Sequence, residues 1–263
     1  MLSEKSAKFK MINKAFIQEL GNDRMDVEMR DLLTELPKRE IQVETFTAKR
    51  LHRKQLPLTA KTLVVGYVPV VLGALKQLGL DLPQYSDYPE CLHKFLHRLI
   101  WESTVGKVVQ RLYDDAPAVF VKPKGRKKRF TGHVFASPSD LAYFQGTSHS
   151  TPVYCSEVVE WLSEYRVFVI QGEIVGIQHY GGDPTVMIDL HTVSDAVNLL
   201  TKSNQGTAGY AIDFGVLEGE ITALVEWNDG FSLGSYGLDK RIYTELILTR
   251  WCELTKALNS EFS

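Results

Sequence analysis

Three cysteines in 263 residues, Cys91, Cys155 and Cys252, form no CxxC pair and no Cys/His cluster. A scattered, odd-numbered set builds neither a disulfide framework nor a zinc site, and it reads as reduced thiols. An excess of one charge is missing too: 30 Lys and Arg against 32 Asp and Glu leave a formal net charge of −2. That balance exerts no global pull on nucleic acid or an anionic membrane, so neither is an expected partner. Long apolar runs are absent. The longest, TLVVGYVPVVLGAL over 62–75, carries Gly66, Pro69 and Gly73 and is too short to span a bilayer. The N-terminus, MLSEKSAKFKMINKAFIQEL, is charged throughout and lacks the apolar stretch of a secretory signal. These absences predict a cytoplasmic protein. Fixed-period repeats and low-complexity tracts are lacking as well.

What is present suits a soluble globular chain, with 44% apolar and 24% charged residues and enough length for one large domain or two modest ones. Residues 1–60 read as charge-rich helical or partly disordered edge material, with a strand at IQVETF (41–46). The basic run 49–54 is either a solvated face or a contact for a polyanion. TLVVGY predicts a buried strand and the pattern after it a helix to Leu78; the Pro- and Gly-punctuated 79–89 is a loop. Apolar residues at helical spacing predict one long amphipathic helix over 90–113, broken near Gly106. After Pro117 the β-branched and aromatic stretches AVFVKP, RFTGHVFA, TPVYCSEVV, YRVFVIQ, EIVGIQHY, YAIDFGVL and ITALVEWN read as strands. Helices are expected near 138–144, 192–203 and 238–259. The class is α+β, with a boundary between 115 and 116.

One hairpin bears chemistry. With Glu218 and Gly219 as a two-residue turn, strand partners have residue numbers summing to 437, and Asp213 lies opposite Leu224. Glu226 and Asn228 then share Asp213's face, with Glu226 its diagonal neighbour, while Ile212, Phe214, Val225 and Trp227 point to the core. Two carboxylates and an amide on one face suit a hard cation such as Mg²⁺, completed by water and phosphate oxygens. A solvated polar face is the bland alternative. Upstream, the apolar strand AVFVKP ends on Lys122, followed by the basic loop KGRKKRFTG (124–132). A lysine at a strand end beside a cationic loop meets phosphate as a point charge. With the carboxylate face, it points to a nucleoside triphosphate.

Over roughly 90–250 the chain resembles the ATP-grasp superfamily of carboxylate–amine ligases. The resemblance rests on FVKP, FTG, SEVVEWLSEYRVFVI, and an Asp followed thirteen residues later by Glu-x-Asn in VEWNDGFSLGSYGL. It looks closest to a bacterial and phage subgroup without an assigned substrate. The resemblance implies an ATP-grasp fold: antiparallel sheets with covering helices and a small N-terminal α/β part (1–115) ahead of a nucleotide-binding region (116–263). It further implies that Lys122 contacts the α- and β-phosphates and that the 124–132 loop, with Lys128, closes over them. On the same resemblance, Glu157 is expected in a hinge strand whose backbone at Val158 and Val159 would read adenine, Glu164 would accept from the ribose hydroxyls, and Asp213, Glu226 and Asn228 would hold Mg²⁺. Some members place an arginine two residues before the metal aspartate, where this chain has Ala211; Arg166 is the expected replacement. A second phosphate-binding cation is expected at Lys107, with Arg98 or Arg111 as substitutes. Lys240 and Arg241 are expected either to orient the acceptor or transferred phosphate, or to be helix-start surface charges.

The implied activity is an ATP-dependent ligase joining a small-molecule or peptide carboxylate, activated as an acyl phosphate, to an amine. A kinase using the same site and a non-catalytic ATP-binding module are the rivals.

Overall fold

The computed structural model describes residues 12–260 except 23, 85, 115 and 126–129. The N-terminal part contains a parallel sheet in which β1 (Lys14–Glu19) lies between β2 (Gln42–Thr47) and β3 (Thr62–Val65). Parallel neighbours need crossovers, here α1 (Val27–Glu35) and α2 (Ala48–His52), and α3 (Val68–Gln77) leads away from β3. Where described, the stretch expected as edge material is therefore an ordered α/β layer. Its central strand buries Ala15, Phe16 and Ile17 completely. The strand expected at 41–46 and the strand and helix expected over 62–78 are present.

The long helix expected over 90–113 is three elements instead. A 3₁₀ turn (Glu90–Phe95) is followed by β4 (Ile100–Thr104) and α4 (Val105–Tyr113). His97, in the left-handed region at φ 49°, stops the first turn. Ile100, Trp101 and Thr104 favour extended backbone, and Thr104 Oγ1 accepts from the Lys107 N–H at 3.4 Å to start α4. β4 pairs with β7 (Pro152–Ser156), so a strand ahead of the expected boundary at 115/116 belongs to the second sheet. That antiparallel sheet runs β4-β7-β5-β6, with β5 spanning Val119–Pro123 and β6 His133–Phe135.

A third sheet, also antiparallel, runs β11-β10-β8-β9. Its strands are β8 (Ser163–Ile170), β9 (Glu173–Gly182), β10 (Gly209–Leu217) and β11 (Ile221–Asp229), with α5 (Leu190–Ser203) between β9 and β10. The chain then runs through α6 (Lys240–Leu254) and α7 (Lys256–Ser260). α6 is buried along most of its length and joins the N-terminal core to the third sheet, with Trp251 Nε1 donating to Thr62 O at 2.9 Å. Arg250 grips Asp229 at the end of β11 through Nε and Nη2 at 2.6 and 2.7 Å. A side chain at Gly230 has no room: its Cβ would lie 2.3 Å from Gly209 O.

The β10–β11 hairpin differs from its expected register. Leu217 pairs with Ile221, so the loop has three residues, with Gly219 and Glu220 at φ 78° and 61°. Asp213 then pairs with Glu226 while Phe214 pairs with Leu224, leaving Val225 as a bulge. Asp213 and Glu226 are direct neighbours rather than diagonal ones. Leu224, not Val225, joins the core, because the extra residue resets the alternation of faces.

Candidate active site

Residues 157–162 connect β7 to β8 and so join the second and third sheets. Between those sheets lies a cavity of about 590 Å³, walled by Phe120 and Lys122 of β5, Gly125, the Phe130–Gly132 stretch, Asp87, and Glu226 and Asn228 of β11. A second cavity of about 350 Å³ adjoins it through the same Glu226 and Asn228 and is lined by Arg166, Tyr180, Asp213 and Tyr236. The carboxylate face and the strand-end lysine, 104 residues apart in sequence, thus meet.

They meet through charge. Lys122 Nζ lies 2.6 Å from Glu226 Oε2 and 2.7 Å from Asp87 Oδ2, and 4.6 Å above the Tyr88 ring. Burial alone would depress this ammonium, but Glu226 and Asp87 hold its pKa above the ordinary lysine range. Arg166 stands directly across the ladder from Asp213 and donates from Nε and Nη2 to its two oxygens at 2.7 and 2.6 Å. Asn228 Nδ2 donates to Asp213 Oδ2 at 3.1 Å. Burial pushes the Asp213 carboxyl up against the pull of Arg166. Glu164 accepts from the Tyr180 hydroxyl at 3.2 Å; desolvation raises its pKa, and nearby Asp213 and Glu226 add to the rise.

Asp213, Glu226 and Asn228 present hard oxygens to one cavity, where Arg166 already pairs with both oxygens of Asp213. The set fits Mg²⁺. Among the described residues no three His, Cys, Asp or Glu side chains cluster as a metal cage. Two carboxylates and an amide leave positions for water and phosphate, as Mg²⁺ prefers.

The other expected residues fall variously. Glu157, Val158 and Val159 lie in the connector beyond the end of β7, not in a strand. Glu157 Oε2 accepts from the Leu99 N–H at 2.9 Å, which pins the connector to the segment before β4. Lys107 is exposed on α4 and does not wall either cavity. Of its substitutes, Arg98 walls neither cavity either: it donates to the carbonyls of Leu224 and Val225 at 2.6 and 3.1 Å and covers Trp161 at 5.0 Å. Lys128 lies outside the described residues. Lys240 pairs with Glu35 of α1 at 3.4 Å, and Arg241 with Asp239 at 3.2 Å. Neither walls these two cavities; both sit at the start of α6. Sequence reasoning missed Asp87, because it lies in a loop with no motif to mark it.

Over residues 95–246, more than half of its length, the chain matches the model of an ATP-grasp domain, the second family of the R-two-K clade. No curated protein matches it in sequence. Among solved structures it is similar to a D-alanine–D-alanine ligase from Bacillus anthracis, at 15% identity and a TM-score of 0.59, over 96% of this chain and 100% of that one. An N5-carboxyaminoimidazole synthetase from Staphylococcus aureus superposes at 11% identity and a TM-score of 0.55, over 92% and 77%. A RiPP-associated ATP-grasp ligase from Chryseobacterium gregarium, in complex with ADP and a leader and core peptide, does so at 12% and 0.51, over 92% and 97%. Likeness at these identities establishes a shared fold.

Proposed function

The chain belongs to this ATP-grasp domain family, and from that premise we propose that it is an ATP-dependent carbon–nitrogen ligase. The carrying observation is the Lys122 ammonium 2.6 Å from Glu226 between the two sheets, with Asp213 and Asn228 on the cavity that Glu226 shares. ATP places its adenine against the connector backbone at Val158 and Val159, its ribose on Glu164 and its phosphates on Lys122. Arriving phosphates draw Lys122 from Glu226 and free that carboxylate for the metal. Asp213, Glu226 and Asn228 would hold Mg²⁺, which would supply positive charge against the phosphates.

A substrate carboxylate attacks the γ-phosphorus, ADP leaves, and an acyl phosphate forms. An amine then displaces the phosphate. Phosphoryl transfer depends on positioning and charge, so no protein nucleophile is needed. Arg166, fixed by Asp213, steadies the negative charge that develops on the reacting oxygens. The carboxylate or the amine can belong to a small molecule or a peptide; one structural relative holds a leader and core peptide. A cytoplasmic location accords with three cysteines outside any disulfide and with no described helix long and apolar enough to cross a membrane.

Turnover with candidate carboxylates and amines tests the reading: ADP and phosphate are released together with an amide, whereas a kinase releases ADP and a stable phosphorylated product. Asp213→Ala and Glu226→Ala are expected to abolish magnesium-dependent ATP binding and turnover. Unchanged binding in both would sink the nucleotide site.

A further inference from the structure

A third cavity, of about 580 Å³, opens where the phosphate cavity ends; Gly125 and Asn228 line both. Its walls come from the N-terminal layer and from the segment after β11, and α6 closes its floor with Tyr243 and Ile247. Most of the wall is apolar, with Met29, Phe231 and Leu233 prominent. Its charged groups are all acidic: Asp26, Glu28 and Asp229, the last neutralised by Arg250. No lysine or arginine is among the described residues of this wall.

The two remaining carboxylates are held in place. Tyr67 Oη donates to Asp26 Oδ2 at 2.5 Å. Glu28 Oε1 accepts from the Ser235 N–H at 2.9 Å and from its hydroxyl at 3.1 Å. The loop that fixes Glu28 also reaches the metal face, because Gly234 O accepts from Arg166 Nη1 at 3.4 Å.

We propose that this cavity binds the amine acceptor, and that it selects a primary ammonium carried on an apolar body. The cavity begins beside Asn228, so its occupant lies next to the place where the phosphates end. An apolar body replaces water against Met29, Phe231 and Leu233, and an ammonium finds two carboxylates with no competing cation among the described residues of the wall. A second carboxylate is repelled. This rests on the ligase reading above. In that cycle the amine nitrogen bonds the acyl carbon as the carbon–oxygen bond to phosphate breaks. Phosphate leaves with one of the ammonium protons, and a second proton passes to solvent.

Calorimetry on the full chain without nucleotide tests the pocket apart from turnover, with phenylethylamine, phenylethanol and phenylpropionate as probes. The amine is expected to bind in the millimolar range, at least about tenfold more tightly than the alcohol, and phenylpropionate not to bind. Replacing both acids, Asp26→Asn with Glu28→Gln, weakens the amine about tenfold or more. Val68→Lys puts a cation on the wall without touching either acid, and reverses the preference towards phenylpropionate. Melting temperatures confirm that each variant folds. No amine binding, equal amine binding by the variants, or an equal response to the anion overturns the proposal. Mg·ATP binding, titrated in parallel, separates the two readings. Amine binding without ATP binding removes the ligase alone, and ATP binding without amine binding removes the acceptor pocket alone.

Discussion

Replacing Lys122 with methionine keeps an unbranched stem against Tyr88 and removes one charge shared by two acids. Asp87 is 3% exposed and Glu226 26%, and the lysine itself 12%. Removing one partner of a buried pair costs about 3–5 kcal/mol, so the Asp87 half dominates. The more exposed Glu226 half contributes nearer ~1 kcal/mol. One ammonium serves both, so the terms do not add, and Lys122→Met is expected to lose about 3–4 kcal/mol at neutral pH. The loss depends on pH in a defined sense. The lysine's pKa is raised on folding, so in the wild type its contribution is fully present below the unfolded lysine value of about 10.4 and does not titrate near neutrality. In the variant Asp87 and Glu226 lose the ammonium between them and should instead titrate above the usual ~4. Stability is therefore regained as pH falls through their raised values. Urea unfolding at several pH values, with the slope unchanged, measures this. A loss under about 1 kcal/mol that does not vary with pH refutes the reasoning, since that is the size of an exposed pair.

Arg166→Lys keeps a charge but loses the two-pronged grip on Asp213; kcat is expected to fall about 100-fold with little change in KM for ATP, measured by ADP release. Glu164, whose carboxyl is raised by desolvation, takes up its proton at higher pH than an ordinary glutamate. KM for ATP should therefore rise as pH falls through that raised value, and Glu164→Gln should raise KM at neutral pH and flatten the profile. Arg250→Met strands Asp229 and is expected to cost about 3–5 kcal/mol in chemical unfolding, and adding Asp229→Leu should restore most of it.

Much of this site is legible in sequence because it is built on local patterns. A strand ending in lysine and a hairpin with Glu226 and Asn228 at alternate positions each announce themselves within a few residues. The elements misread depend on distant partners. KAFIQE looks like the rest of a charged leader until β2 and β3 flank it, and parallel pairing leaves no turn signal between neighbours. IWEST carries apolar residues at intervals that suit a helix, and only pairing with β7 makes it a strand. Asp87 gains its role from Lys122, 35 positions away, through a loop whose composition says only that it turns.

The bulge at Val225 gives the thirteen-residue interval between Asp213 and Glu226 an arithmetic. Four paired rungs out from Asp213, three loop residues and four rungs back would set residue 225 opposite Asp213; the extra residue passes that place to Glu226. An interval of twelve reaches the same facing pair on an unbroken ladder, whereas thirteen needs one residue out of step. Motif spacing on a hairpin is therefore a count of rungs plus irregularities. Deleting Val225 should keep the two acids face to face while removing the carbonyl on which Arg98 Nη2 rests.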